Sequence, residues 1–376
     1  MKRSIQSSIE TDLGEKMVFV GGPRQVGKTT VALALLGCSA PPHPGYLSWD
    51  DVSDRKLLLA GALPAGEPLL VFDEIHKYRQ WRNLVKGIYD KHRATRKILV
   101  TGSARLDHYR RGGDSLQGRY HYHRLHPFTL HEIARDPSLS DLDQLMEFGG
   151  FPEPFLKSNM RHWKRWQRER RSRVIQDDLV NLEHVKDVAQ VDLLAGLLPD
   201  RVGSLLSINN LRQDLSVAFE TAERYVHILE NLYFCFRIAP HGLPKLRAIR
   251  KEQKLYMWDW SLCPEPSARF ENMVASHLLK YCHRIEDNDG DTMNLRFLRD
   301  SAGREIDFVV VRGNKPVFAV ECKSGDRALS RNIAYFSQRS NIPVFYQVHR
   351  GTADVEYTDS RARVLPLTSL ARILEI

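Results

Sequence analysis

Residues 22–29, Gly22-Pro23-Arg24-Gln25-Val26-Gly27-Lys28-Thr29, set two glycines, a lysine and a hydroxyl at the spacing G-x-x-x-x-G-K-T. These residue types at this spacing suit the holding of a polyphosphate. Glycines permit a tight loop whose backbone N–H groups surround phosphate oxygens, and a helix beginning behind the loop adds the positive end of its dipole. Lys28 is expected to reach the β- and γ-phosphates and the Thr29 hydroxyl to ligand Mg2+. Gly22, Gln25, Val26, Gly27, Lys28, Thr29 and Thr30 form the expected nucleotide cradle. Downstream, the apolar run Leu69-Leu70-Val71-Phe72 closes on Asp73-Glu74. Asp73 at a strand end would hold Mg2+ through water, and Glu74 would orient and activate an attacking water. A third run, Ile98-Leu99-Val100, ends in Thr101-Gly102-Ser103, so that Ser103 or Thr101 could sense the γ-phosphate or simply end a strand.

Such groups need a rigid frame. From residue 17 to about 125, short apolar runs (17–20, 69–72, 98–100) alternate with helical stretches (29–36, 81–92). Strands that read as unbroken apolar runs are buried on both faces, which predicts a parallel sheet flanked by helices. Between about 127 and 178 the chain turns helical and charged. Here Arg161, Lys164, Arg165, Arg168, Arg170, Arg171 and Arg173 surround Trp163 and Trp166, as a solvated helix face or as one that contacts phosphates. Residues 191–238 predict a helix at 191–198, another near 211–215, a turn at Ser216-Val217-Ala218 and a helix at 219–232, the pattern of a winged helix-turn-helix. On the last helix Glu220, Arg224 and His227 share an outward face that reads DNA or is wet, while Tyr225, Ile228 and Leu229 turn inward. From about Lys254 a helix at 270–281 and strands at 295–298, 305–311, 316–321 and 344–348 predict a second α/β unit.

The phosphate loop, Val71-Phe72-Asp73-Glu74-Ile75-His76, Val100-Thr101-Gly102-Ser103, Gln117-Gly118-Arg119, Pro127-Phe128-Thr129 with Glu132, and Gly149-Gly150-Phe151-Pro152-Glu153 together resemble the AAA+-like prokaryotic P-loop ATPases with a poorly characterised C-terminal domain. The resemblance runs over nearly the whole chain. It implies an α/β fold in three parts: an AAA+-type P-loop NTPase core (1–135), a helical region with a winged helix (136–250), and a restriction-endonuclease-like α/β domain (251–376). Arg119 matches the family's Gly-Arg position and is the candidate arginine finger, with Arg105, Arg110 or Arg111 as alternatives. A finger that acts in trans implies a homo-oligomer. In the last part, Glu271, Asp307, Glu321 and Lys323 are similar to the helix acid, D and E-x-K of the PD-(D/E)xK nucleases. Strand alternation sends Glu321 and Lys323 to one face, where they could meet Asp307 from a neighbouring strand. In a working nuclease Asp307 and Glu321 would bind Mg2+, Lys323 would position the water and Glu271 would support the cluster; the same fold also persists as a silent binding module.

The 376 residues, 42% hydrophobic, suffice for two or three domains with buried cores. A formal net charge of +9 points to a polyanionic partner such as DNA, or to solubility alone. Cys38, Cys235, Cys263, Cys282 and Cys322 are widely spaced, which argues against a disulfide framework and a zinc ribbon. No apolar run reaches the roughly 18 residues of a membrane span and no signal segment is evident, so a cytoplasmic location is expected. The resulting expectation is an ATPase that uses ATP and Mg2+ and is coupled to DNA. An ATP-gated nuclease and a nucleotide-dependent protein-binding switch are the alternatives.

Overall fold

The computed structural model describes residues 2–102, 116–175, 187–242, 253–323, 325 and 328–376. Two compact units emerge, one of Met1–His126, Arg168–Val188 and Asn231–Tyr233, the other of Pro127–Gln167, Ala189–Glu230 and Phe234–Ile376.

Five strands build the first unit: β1 (Met17–Gly21), β2 (Tyr46–Ser48), β3 (Leu69–Asp73), β4 (Lys97–Gly102) and β5 (Tyr120–Arg124). They pair in the order β2-β3-β4-β1-β5, and every pairing is parallel. The helices α1 (Gln6–Asp12), α2 (Lys28–Leu35), α3 (Val52–Ala60) and α4 (Trp81–His92) connect them. Met17 and Phe19 of β1, Leu70 and Phe72 of β3, and Ile98 and Val100 of β4 form one core with Leu58, Trp81, Val85 and Ile88 from the helices. Burying each such side chain contributes about 1.5–3 kcal/mol, which explains the unbroken apolar runs of the central strands. Local chemistry sets the helix ends. Asp51 caps α3 by accepting from the N–H groups of Ser53 and Asp54 at 2.8 and 3.0 Å, and Gly61 stops it at φ 64°.

Along the rest of the chain run α5 (Leu130–Ile133), α6 (Leu139–Phe148), α7 (Pro152–Lys157), α8 (Met160–Arg173), α9 (Val188–Leu197), α10 (Ile208–Leu215) and α11 (Phe219–Asn231). Strands β6 (Cys235–Pro240), β7 (Lys254–Met257), β8 (Met293–Arg299), β9 (Glu305–Arg312), β10 (Lys315–Cys322), β11 (Phe345–His349), β12 (Val355–Tyr357) and β13 (Ala362–Pro366) form the second sheet; α12 (Pro266–Asp289) and α13 (Arg331–Ser337) lie between its strands and α14 (Leu367–Leu374) follows the last. Its order is β12-β13-β11-β10-β9-β8-β6-β7: the β8-β9-β10 meander is antiparallel, whereas β11 runs parallel to both β10 and β13. Ile306, Val309, Ala319 and Phe345 pack with Ile333 and Phe336 of α13 on one face. Glu265 caps α12, Pro266 fills its first turn, and Gly290 ends it at φ 75°.

The turn between α10 and α11 bends at Ser216, φ 53°. On α11, Glu220, Arg224 and His227 are exposed and Tyr225, Ile228 and Leu229 are buried. Within the basic run, Arg161, Lys164, Arg165, Arg168 and Arg173 are exposed, whereas Trp166 and Arg170 are buried. The Pro127-Phe128-Thr129 and Gly149-Gly150 segments hold each other: the Phe128 N–H donates to the Gly150 carbonyl at 2.6 Å. A Cβ on Gly150 would lie 2.5 Å from both the Phe128 carbonyl oxygen and the Trp260 ring. These segments are packing devices of the second unit.

Candidate functional site

The carboxyl ends of β1, β3 and β4 lie along one edge of the first sheet, since Gly21 is in register with Gly102, and Asp73 with Thr101. Ligands of open parallel sheets gather at such an edge because the loops diverge there. The loop after β1 is Gly22–Gly27. A Cβ at Gly22 would sit 2.4 Å from the Leu125 carbonyl oxygen, so only glycine permits this approach. Gly27 opens α2 at φ 100°, a conformation that an L side chain resists. Lys28 is buried, and its ammonium donates to the carbonyls of Gly22 at 3.0 Å and Pro23 at 2.8 Å, curling back inside the loop. Gln25 Oε1 is buried without a hydrogen-bond partner among the described residues. Val26 is fully buried, while Thr29 and Thr30 lie exposed in the first turn of α2, where backbone N–H groups lack intrahelical acceptors. A cradle of N–H groups and a buried lysine fit a nucleotide's phosphates.

Asp73 is gripped by hydroxyls from three elements. Thr29 Oγ1 of α2 donates to Oδ2 at 3.0 Å, Tyr46 of β2 donates to the same oxygen, and Thr101 of β4 donates to Oδ1. Burial and the adjacent Asp73 carboxylate push the Tyr46 hydroxyl far above its ordinary pKa, so it stays a donor. Thr29 and Asp73 are the residues that would hold Mg2+. Next along the chain, Glu74 adopts φ 56° and its N–H donates to the Thr101 carbonyl at 3.0 Å, which turns its side chain off the strand. Burial works to raise the Glu74 carboxyl, but His76, Lys28, Lys77 and Arg24 outweigh it and hold the pKa below the ordinary value. The carboxylate is therefore ionised at neutral pH, as a group that must accept a proton from water requires. His76 is buried, and burial pulls its pKa below the ordinary imidazole value; its Nε2 lies 3.7 Å from Glu74 Oε2, and neither ring nitrogen has a hydrogen-bond partner among the described residues. Lys77 spans Glu74 at 3.6 Å and Asp50 at 2.6 Å.

The fold thus gathers Lys28, Thr29, Asp73, Glu74 and Thr101. Arg119 is not brought to them. It precedes Tyr120, which pairs with Met17 at the opposite end of β1, about 13 Å of strand from the loop. Its guanidinium engages Asp90 of α4 at 2.9 and 3.3 Å. Ser103, Arg105, Arg110 and Arg111 lie outside the described residues. Tyr46 and Lys77 escaped the sequence reading, and His76 stood there only as the end of the Val71-to-His76 run. Tyr46 reaches Asp73 only through sheet pairing, which leaves no spacing signature; His76 and Lys77 carried one signal, their position just after the acidic pair.

In the second unit Glu271, Asp307, Glu321 and Lys323 line one cavity of about 330 Å³ together with Glu305, Cys322 and Asn332. The residues expected to form a second metal site do meet in this cavity, and Lys254 of β7 stands among their acids. The Lys254 ammonium lies 2.6 Å from Glu305 Oε1, 3.2 Å from Glu271 Oε1 and 3.5 Å from Asp307 Oδ1. Asp307 Oδ2 accepts from the Cys322 N–H at 2.8 Å, and Glu321 Oε1 accepts from Ser330 at 2.8 Å and lies 3.0 Å from Lys323 Nζ. Burial and Asp307 raise the Glu271 carboxyl to about 7. Burial likewise raises Glu321. No group of three or more His, Cys, Asp or Glu side chains among the described residues is placed to hold a metal ion.

Residues 14–134 match the family model described as "AAA domain". A P-loop ATPase domain of AAA type, with the nucleotide binding that this class implies, is the general character of this part. Residues 139–268 and 267–370 match two models described as domains of unknown function, DUF8612 and DUF4143. An uncharacterized protein of Mycobacterium tuberculosis is 26% identical over 250 residues, covering 65% of this chain and 55% of the relative. The chain therefore spans about half the length of that relative and of its Mycobacterium bovis counterpart, also covered to 55%. An uncharacterized protein of Methanocaldococcus jannaschii is 23% identical over 339 residues, covering 81% of this chain and 74% of that one. Among solved structures, the Aeropyrum pernix Orc1 protein in complex with DNA gives a TM-score of 0.33 at 13% identity, covering 72% of this chain and 90% of its own. The Thermotoga maritima RuvB Holliday junction branch migration motor gives 0.33 at 19%, covering 63% and 89%. No helix among the described residues is long and apolar enough to cross a membrane.

Proposed function

We propose that this chain hydrolyses ATP with Mg2+ at the edge formed by β1, β3 and β4, and couples hydrolysis to DNA held by its C-terminal half within a homo-oligomer. The observation that carries the reading is the convergence of Lys28, Thr29, Asp73 and Glu74 on one sheet edge, with Thr29 and Asp73 hydrogen-bonded at 3.0 Å. When bound, Mg2+–ATP supplies the reacting γ-phosphoryl group and neutralises the charge that develops on it. The chain does the rest. Loop N–H groups from Gly22 to Thr30 orient phosphate oxygens, and Lys28 leaves the Gly22 and Pro23 carbonyls to meet them. Asp73, fixed by three hydroxyls, would hold Mg2+ together with Thr29. Ionised Glu74 takes the proton of the attacking water. Arg119, or one of Arg105, Arg110 and Arg111, acts from a neighbouring copy; for Arg119 this requires release from Asp90.

Support for DNA comes from charge and element order. The net charge is +9, and Arg161, Lys164, Arg165 and Arg168 are exposed. Helix α9, an isolated bridge between Leu205 and Lys254, the α10-turn-α11 pair and the antiparallel β6-β7 hairpin follow one another as in a winged helix-turn-helix. The same reading divides the chain into three parts near residues 135 and 250; a family match that ends at 134 supports the first division, while the next two matches meet at 267–268.

Phosphate release with and without duplex DNA at low salt, for the wild type and Glu74→Gln, tests the reading. Glu74-dependent release that rises with DNA supports it. Release indifferent to DNA, with no salt-sensitive DNA binding, would leave the protein-binding switch, and no release at all would refute hydrolysis.

A further inference from the structure

The cavity beneath α12 holds four carboxylates, Glu271, Glu305, Asp307 and Glu321, in a setting that resembles a metal-dependent nuclease site. Its geometry departs from one. Lys254 is 3% exposed, and its three N–H donors face three separate carboxylates at 2.6, 3.2 and 3.5 Å. Tyr256, two residues along β7 and on the same face, donates to Glu271 Oε1 at 2.7 Å. The point at which Glu271, Glu305 and Asp307 converge, where oxygen ligands would close on a cation, is taken by nitrogen. Glu321 alone keeps a buried oxygen, Oε2, without a hydrogen-bond partner among the described residues. An ammonium and a divalent cation cannot share this space, because Mg2+ or Mn2+ draws oxygens in to about 2.0–2.2 Å and repels a neighbouring positive charge.

We infer that the ammonium of Lys254 is the resident cation of this cavity, replacing a divalent ion, and that its acids become a divalent-cation site only when Lys254 is removed. The lysine is delivered by the β6-β7 hairpin, whose pairing sets Lys254 opposite Ile238 and bridges it to Leu205. Its position is thus fixed by backbone hydrogen bonds on both sides. While the Lys254 ammonium sits between Glu271, Glu305 and Asp307, the cavity is closed to a divalent ion.

The test is Mn2+ binding to the full chain without nucleotide, followed by electron paramagnetic resonance in an Asp73→Asn background that silences the first unit. The expected result is no saturable site with Lys254 present, one saturable site in Lys254→Met, and its loss in Lys254→Met/Asp307→Asn. Removing a buried cation from among acids endangers folding, so Lys254→Met/Glu271→Gln, which also drops one acid, is measured in parallel and is expected to gain the same Asp307-dependent site. Asp307-dependent Mn2+ binding with Lys254 intact would overturn the inference. So would a folded Lys254→Met, or folded double variant, that gains no site.

Discussion

Replacing Glu230 by Gln should weaken the joint between α11 and β6 by an amount that the structure sets. Arg237 of β6 donates to both Glu230 oxygens at 2.9 Å, and His227 Nδ1 lies 3.0 Å away. Burial works to raise the Glu230 carboxyl, but these partners hold it at about 2 against an ordinary 4.5. At 1.36 kcal/mol per unit, the difference corresponds to about 3 kcal/mol. A depressed folded pKa means the stability is fully present above the unfolded value near 4.5 and is lost as pH falls through the folded value near 2. The same linkage leaves about 1 kcal/mol at about pH 3. Gln keeps the size and one acceptor, so the variant isolates the charge. Urea unfolding of wild type and Glu230→Gln, paired with hydrogen exchange of α11 and β6 amides, should show a gap of about 3 kcal/mol at neutral pH that shrinks to about 1 near pH 3. A gap that is the same at both pH values, or under about 0.5 kcal/mol throughout, would refute the reasoning.

Glu74→Gln should retain a fluorescent ATP analogue while phosphate release falls by about 10²–10⁴-fold. Tyr46→Phe removes one of three hydroxyls on Asp73; charge-assisted bonds are worth about 1.5–3 kcal/mol, so the Mg2+ needed for half-maximal hydrolysis should rise roughly tenfold while metal-free nucleotide binding holds. Gly150→Ala, with its Cβ driven into the Phe128 carbonyl and the Trp260 ring, should destabilise the protein by about 1–3 kcal/mol in denaturant titrations. Lys280 pairs with Glu132 at 2.5 Å with both side chains buried; Lys280→Met should cost about 3–5 kcal/mol, and adding Glu132→Gln should return part of that, as a double-mutant cycle would measure.

That Lys28, Thr29, Asp73 and Glu74 would share one sheet edge was legible because the signals are local: a loop, a strand end and a helix start each carry their residues in sequence. The central strands were equally plain, since burial on both faces leaves only apolar residues. The edge strands of the first sheet were missed: β2 has three residues, and β5, Tyr120-His121-Tyr122-His123-Arg124, lies at the end of the strand order among the described residues and is mostly half-buried, so it has no apolar run. Lys254 was hidden for a different reason. Its partners lie 17, 51 and 53 residues downstream in sequence, and no periodicity links an ammonium on one strand to acids on a helix and another strand. Sequence order alone suggested acids convergent on a metal; the cation between them belongs to a segment that had been read as the mere start of the last domain.

The passage of the chain between its two compact units has a consequence for dissection. The backbone crosses from one to the other five times, at 126/127, 167/168, 188/189, 230/231 and 233/234. A gene fragment that stops near residue 135 would omit 168–188 and 231–233, and with them Tyr233, whose hydroxyl meets that of Tyr122 on β5 at 3.0 Å. The ATPase fold here is no cassette to be lifted out by one cut. Exchanging everything beyond residue 135 would also replace 168–188 and 231–233, pieces of the first unit itself, so the two units must be engineered together.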